Sequence, residues 1–179
     1  MSGRRRTALA PLTALLLALT LVASVPASTW TQPRVVRLAY ELGRLGVEYS
    51  WGGGHAEVPG PSTGTCQGYQ GRIRPCPAAR TRGLDCSGFT RWVYALAHGR
   101  DVLGPGNTDD HVRRMHRVRS APLPGDLVFF GVIAGDTVRT HHVGVYLGGG
   151  LMMNAPETGA RVRVDRLAGR KDLAGFYRY

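Results

Sequence analysis

Apolar side chains first fall into a helical rhythm at Val35, Val36, Leu38, Ala39, Leu42 and Leu45, with Thr31 placed to cap the run and Gly46 to stop it. Tyr49-Ser50-Trp51-Gly52-Gly53-Gly54 then sets aromatic residues beside a glycine run, the pattern of a short strand turning into a loop. Over residues 55–84 apolar periodicity disappears and Gly, Pro, Ser and Thr dominate. A loop of that length is uncommon inside a compact domain and points to function or cross-linking. Helical spacing returns over 86–98, where Phe89, Trp92, Val93, Leu96 and Ala97 share one side ahead of Gly99. A shorter helix is expected over 109–116, capped by Asn107 or Thr108. Beyond it the period changes to two. Strands are predicted over 126–133, 141–147, 151–155, 161–164 and 174–179, punctuated by Gly148-Gly149-Gly150 and Gly159. Helices followed by a meander of strands predict an α+β fold with an antiparallel sheet, without internal repeats.

The first 27 residues follow neither pattern. Arg4, Arg5 and Arg6 precede an apolar run over 8–25, and Val25-Pro26-Ala27 offers small residues before Ser28. This reads as a secretory signal cleaved after Ala27; Pro11, Thr13, Thr20 and Pro26 count against a retained membrane anchor. The mature chain, residues 28–179, is then a single domain of 179 − 27 = 152 residues carrying the insertion at about 55–84. Its compartment is extracellular, where disulfides form and nucleotide cofactors are scarce, so no cofactor is expected.

Charge changes the picture only a little. The full chain has 23 Lys plus Arg against 12 Asp plus Glu, and every cation except Lys171 is an arginine. Arg113, Arg114, Arg117 and Arg119 cluster without the interleaved aromatics or module of a nucleic-acid binder, so no nucleic-acid partner is expected. Attraction to an anionic surface, or plain solvated arginine, accounts for the skew.

Candidate chemistry centres on Asp85-Cys86-Ser87-Gly88, at the break between the loop and the apolar helix. There the free N–H groups and the macrodipole favour a thiolate; a buried apolar cysteine is the alternative. A thiolate nucleophile needs a histidine base and a polar group to fix its tautomer. Of six histidines, only His141 and His142 lie in a well-marked strand. His141 shares a face with Val143, Val145 and Leu147 and reads as a strand-end spectator. His142 shares the other with Gly144, Tyr146 and Gly148, where glycines would leave room for a helix to approach. Asn154 is the neutral amide of the next strand, placed either to orient His142 or to form the turn at Ala155-Pro156.

Four motifs in order, Tyr49-x-Trp51-Gly52-Gly53, Asp85-Cys86-Ser87-Gly88-Phe89, Pro124-Gly125-Asp126-Leu127-Val128-Phe129-Phe130 and His142-Val143-Gly144-Val145-Tyr146-Leu147-Gly148, resemble those of the NlpC-type cell-wall peptidases. These are papain-like cysteine hydrolases of bacterial peptidoglycan. The resemblance covers most of residues 35–179 and implies a minimal papain-like fold. The implied reaction is hydrolysis of the bond between γ-D-glutamyl and the diamino acid of a stem peptide. By position, Cys86 matches the nucleophile, His142 the base and Asn154 the third polar group, where many members have histidine. Tyr49 matches a tyrosine beside the active site, and Asp85 and Ser87 match positions that help hold the substrate's amino-terminal end. The 55–84 insertion lies outside the common pattern and is expected to narrow the cleft or select the substrate. A related amidase, an acyl transferase or an inactive wall-binding domain are the alternatives.

Cys66 and Cys76 lie in that insertion. In an oxidising compartment they are expected to form a disulfide; free thiols, or a zinc site with Cys86, are the alternatives, and Cys-x9-Cys-x9-Cys is not a usual ligand spacing. The expectations are therefore peptidoglycan as partner, no metal, no membrane contact after signal cleavage, a monomer, and a secreted, wall-associated location.

Overall fold

A computed structural model describes the backbone of residues 28–179 and the side chains of residues 31–179; the secretory signal expected over 1–27 lies outside the described residues. The elements in chain order are α1 (Ser28–Gly43), β1 (Ser62–Thr63), a 3-10 turn (Pro77–Ala79), β2 (Arg82–Gly83), α2 (Cys86–His98), α3 (Thr108–Arg113), β3 (His116–Arg117), β4 (Leu127–Ala134), β5 (Thr137–Gly148), β6 (Leu151–Asn154), β7 (Arg163–Arg166) and β8 (Leu173–Arg178). Six strands form one sheet in the order β3-β8-β4-β5-β6-β7, every neighbour antiparallel. The fold is α+β, as expected.

Burial explains the layers. Val35, Ala39 and Leu42 of α1 and Phe89, Val93, Tyr94 and Ala97 of α2 join one core with Leu127, Phe129, Val143, Val145, Met153 and Tyr177 of the sheet. Alternate residues Val128, Phe130 and Met152 point to the other face, where Leu167 and Phe176 cover them. No helix among the described residues is long and apolar enough to cross a membrane.

Several boundaries differ from the sequence reading for physical reasons. Thr31 does not cap α1 but lies inside it, because the helix already begins at Ser28. Gly46 does end the run, with φ +62 and its N–H on the Gly43 carbonyl. The β4–β5 hairpin is longer than apolar alternation indicated, since its outer arm, 131–140, is solvated. His141 therefore lies within β5 rather than at its end. The 55–84 segment is not structureless: β1 pairs with β2, and Cys66–Cys76 is a disulfide with Cα atoms 6.0 Å apart. That pairing removes both the free-thiol and the zinc alternatives and leaves Cys86 the free cysteine among the described residues.

Two buried charges lock the frame. Asp126 is fully buried at the start of β4 and accepts from Gln32 of α1 (2.9 Å), the Leu123 amide (2.8 Å) and both Nε (2.6 Å) and Nη2 (2.8 Å) of Arg178 in β8. Arg91 of α2 is 1% exposed. It donates to the carbonyls of Gly54 (2.9 Å), Ala56 (2.8 Å) and Glu57 (3.3 Å), and to Asp101 (2.9 Å). The glycine loop and the start of the insertion are thereby tied to α2.

Candidate active site

The turn that presents Cys86 is built from backbone contact. Asp85 is the cap of α2, its carboxylate accepting from the Gly88 amide at 2.7 Å, and Cys86 is the first helical residue. The Gly52 amide donates to the same carboxylate at 3.2 Å, and the Asp85 amide donates to the Gly53 carbonyl at 3.0 Å. A Cβ on Gly88 would run into the Gly53 carbonyl, and one on Gly54 into the Gly88 backbone. The two glycine motifs are therefore one packing unit: each needs the other's missing side chain to let the 52–54 loop touch the start of α2.

Cys86 is 7% exposed, and its surroundings do not favour a resting thiolate as the helix position alone suggested. Burial pushes the thiol up to about 12, and the Asp85 charge pushes in the same direction; donors at the amides of Val143, Ser87 and Cys86 itself oppose them only partly. The Val143 amide lies against the sulfur, so β5 meets the helix start one residue from His142. Tyr49 is buried beside this point. Burial, then the Cys86 and Asp85 charges, push its phenol well above its ordinary range, so it stays a hydroxyl donor.

His142 and Asn154 meet directly, Nε2 to Oδ1 at 2.8 Å. The Asn154 Nδ2 is occupied as a donor to Asp165 Oδ2 (3.1 Å) and the Arg163 carbonyl (3.3 Å), so its oxygen faces the ring. Nε2 then carries the proton and Nδ1 is the basic nitrogen. The reason for Gly144 differs from the one read in the sequence. Val143 and Val145, not Gly144, face the helices. A Cβ at Gly144 would press on Met152 Sδ at 2.9 Å and Asn154 Cβ at 3.2 Å, so the glycine makes room for the residue that orients His142. The His142 ring also packs against Phe130, centroids 5.6 Å apart. His141 points outward to Asp172 at 3.0 Å.

A cleft of about 270 Å³ opens at His142, with Tyr49 and Trp51 at its base and Glu157 beside it. Tyr69 and Arg72, from within the disulfide loop, form the facing wall. Trp51 fixes that wall, donating to the Gln67 carbonyl at 2.7 Å and meeting Tyr69 edge-on at 5.6 Å. A second hollow of about 300 Å³ shares His142 and Glu157 and is bounded by Arg163, Asp165 and Arg170.

Of the residues singled out from sequence, Tyr49 and His142 line this cleft with Asn154 behind His142, while the buried Cys86 does not line it and lies near Tyr49 and the Val143 amide. Asp85 and Ser87 lie there too, but in a closed network. His55 Nε2 is 3.0 Å from Asp85 Oδ1 and 3.2 Å from Ser87 Oγ, and Ser87 donates to Asp85 at 2.8 Å. His55, Tyr69, Arg72, Arg91 and Asp165 escaped the sequence reading; in His55 the signal was a polar residue directly after a glycine run, which alone has no specificity. Another hollow, about 570 Å³ between Gln32, Val36, Leu123 and Arg178, shares no residue with the cleft. Among the described residues no cluster of His, Cys, Asp and Glu is arranged to hold a metal ion.

Two buried histidines give the fold an acid limit. His142 is pushed down to about 4 from an ordinary 6.5 by burial first, opposed by the Asn154 bond, with Arg170 and His141 adding repulsion. His111 is likewise pushed down to about 4 by burial, opposed by its bond to the Gly104 carbonyl. Between about 6.5 and 4 the unfolded chain binds protons that the folded protein refuses. Stability is therefore full above that window and falls as pH drops through it, by roughly 3 kcal/mol per histidine. Calorimetry from pH 7.5 to 4.5 is expected to show Tm falling, with a shallower slope for His111→Gln. A Tm independent of pH across the window contradicts the assignment.

Known proteins resemble this chain in sequence and fold. Residues 46–172 match the NlpC/P60 family. Peptidoglycan endopeptidase RipB of Mycobacterium tuberculosis is 37% identical over 123 residues, which cover 68% of this chain and 43% of RipB, so the chain spans less than half the length of that relative. The solved structure of the peptidoglycan hydrolase RipB from M. tuberculosis matches with a TM-score of 0.61 at 28% identity, over 87% of this chain and 68% of that one. RipD of the same organism, described as a non-catalytic NlpC/p60 domain protein adapted to peptidoglycan binding, matches with a TM-score of 0.57 at 26% identity, over 81% of this chain and 96% of that one. The matched span runs from the glycine loop through the Cys86 helix to the strands bearing His142 and Asn154, and the chain belongs to the NlpC/P60 family.

Proposed function

We propose that this chain is a secreted cysteine endopeptidase of peptidoglycan stem peptides, cleaving the γ-D-glutamyl–diamino acid bond with Cys86 as nucleophile, His142 as base and Asn154 as its orienting group. The observation that carries the reading is the 2.8 Å bond from His142 to Asn154 on the strand whose Val143 amide lies against the Cys86 sulfur. A thiol held neutral and an imidazole held neutral form a pair that exchanges its proton when substrate arrives. The sulfur attacks the scissile carbonyl carbon while its proton passes to His142 Nδ1. The oxyanion is received by the amides at the start of α2 and the Tyr49 hydroxyl. His142 then protonates the leaving amine as the C–N bond breaks, and water, deprotonated by His142, releases the acyl group from sulfur. Asp85 and Ser87, joined by His55, shape the amino-terminal side of the cleft. The Tyr69–Arg72 wall, fixed by Cys66–Cys76, limits which stems enter. The basic mature surface draws the enzyme to the anionic wall.

The relative contributions of the two strand residues test this reading. On a defined stem tetrapeptide, His142→Ala is expected to lower kcat by at least about 10³-fold, while Asn154→Ala, which leaves the base but frees its ring, lowers it by about 10- to 100-fold. An Asn154→Ala loss equal to or larger than that of His142→Ala contradicts the orienting role.

A further inference from the structure

A carboxylate behind Asn154 does a job that neither the motifs nor the family match assigns. An asparagine can orient a histidine only if its oxygen, and not its NH2, faces the ring, because the two ends of the amide are nearly the same shape. His142 presents Nε2–H, so an amide turned the other way sets donor against donor and favours the tautomer that protonates Nδ1, the nitrogen needed as base. Something must hold the amide. Asp165 Oδ2 accepts from Asn154 Nδ2 at 3.1 Å, while Asp165 Oδ1 is held by Arg163 Nε at 2.9 Å. The Arg163 carbonyl takes the same NH2 at 3.3 Å. Asp165 sits on β7 opposite Met152, and Arg163 opposite Asn154, so strand pairing delivers both to one spot.

From this geometry we infer that Asp165 is a positioning residue for the Cys86–His142 chemistry: it fixes the orientation of the Asn154 amide, and through it the His142 tautomer. The inference rests on the proposed function. Burial alone would raise the Asp165 carboxyl, but its bonds to Asn154 and Arg163 outweigh that and hold it below its ordinary range. The group therefore stays an acceptor that cannot turn donor at working pH. Asn154 thus supplies a neutral oxygen at the buried ring, and Asp165 keeps the charge at the half-exposed rim.

The test is a reversal of sign. With Asn154 present, Asp165→Ala is expected to lower kcat on the stem peptide by about tenfold, in the range of losses for outer partners of a functional histidine. An aspartate at position 154 offers oxygen in either orientation and needs no partner, but it faces the Asp165 charge. Asn154→Asp alone is therefore expected to be poorly active, and adding Asp165→Ala to it to raise activity by about tenfold. Asp165→Asn, which keeps the shape and can present either amide end, should fall between wild type and Asp165→Ala. Long-range ¹⁵N NMR of the His142 ring supplies a readout independent of turnover. Wild type should show one tautomer with the proton on Nε2, Asp165→Ala a mixture, and the double variant one tautomer again. A single unchanged tautomer in folded Asp165→Ala overturns the inference, as does a loss in both backgrounds, which marks a structural role for β7. If wild type does not cleave, the proposed reaction fails while the ring spectra still decide the positioning role.

Discussion

Cys86→Ala is expected to abolish stem-peptide hydrolysis, by about 10⁴-fold or more in kcat, while leaving the unfolding free energy within about 1 kcal/mol of wild type. The asymmetry follows from the surroundings of the sulfur. Asp85 still caps α2 through the Gly88 amide, and the 52–54 loop still closes on Gly88, so the turn keeps its shape without the thiol. What is lost is the sulfur that the proposed reaction uses to form its acyl intermediate. Residual activity comparable to wild type removes Cys86 from the mechanism. A large loss of stability with activity retained makes it a packing residue instead.

The largest effect on stability is expected at Arg91. Arg91→Met keeps the length and apolar stem but removes donors to three carbonyls, those of Gly54, Ala56 and Glu57, and takes the guanidinium from Asp101, which keeps only the Gly104 amide. Stranding carbonyls that face a buried guanidinium costs about 1–3 kcal/mol each, so a loss of about 3–5 kcal/mol is expected even though Asp101 itself is solvated, a large share of the 5–15 kcal/mol typical of a domain. Denaturant unfolding should show a midpoint lowered accordingly at an unchanged m value. Activity should fall as well under conditions where the variant remains folded, because residues 54–57 carry His55 and thereby the Asp85 network. A cost below about 1 kcal/mol means that Arg91 does not anchor the loop.

Arg91 also shows where sequence reasoning stops. Hydrophobic spacing located α2 correctly and the glycine stop fixed its end at Gly99, while the cap at Asp85 emerged only from the structure. Nothing in that spacing distinguishes an arginine aimed at three loop carbonyls from one aimed at water, because the loop's position is a long-range fact. Asp165 is similar: strand alternation puts it on a face, but only the β6–β7 register brings it to Asn154. The proximity of His142 and Asn154 was legible because both lie on adjacent strands of a short hairpin. The reason offered for Gly144 was not correct, since periodicity says that a position is small without saying which neighbour needs the space. The expected thiolate failed on magnitude: the amides around the sulfur still favour the thiolate, but at Cys86 burial and the Asp85 charge outweigh them. The disulfide of the insertion was legible in the sequence, but the rest of its order was not, because it comes from Trp51 and Arg91 rather than from repeating local patterns.

The most direct measurement is a digest of purified peptidoglycan by the 28–179 chain, with Cys86→Ala alongside, resolved by mass spectrometry. New γ-D-glutamyl carboxyl ends and matching free diamino-acid amines, present with wild type and missing with the variant, are the predicted result. Cleavage at the muramoyl amide, or transfer of the acyl group to an amine, would keep the nucleophile and change the reaction. Tight wall binding by both proteins without any product would contradict the account and place this chain with the non-catalytic, peptidoglycan-binding branch that RipD represents.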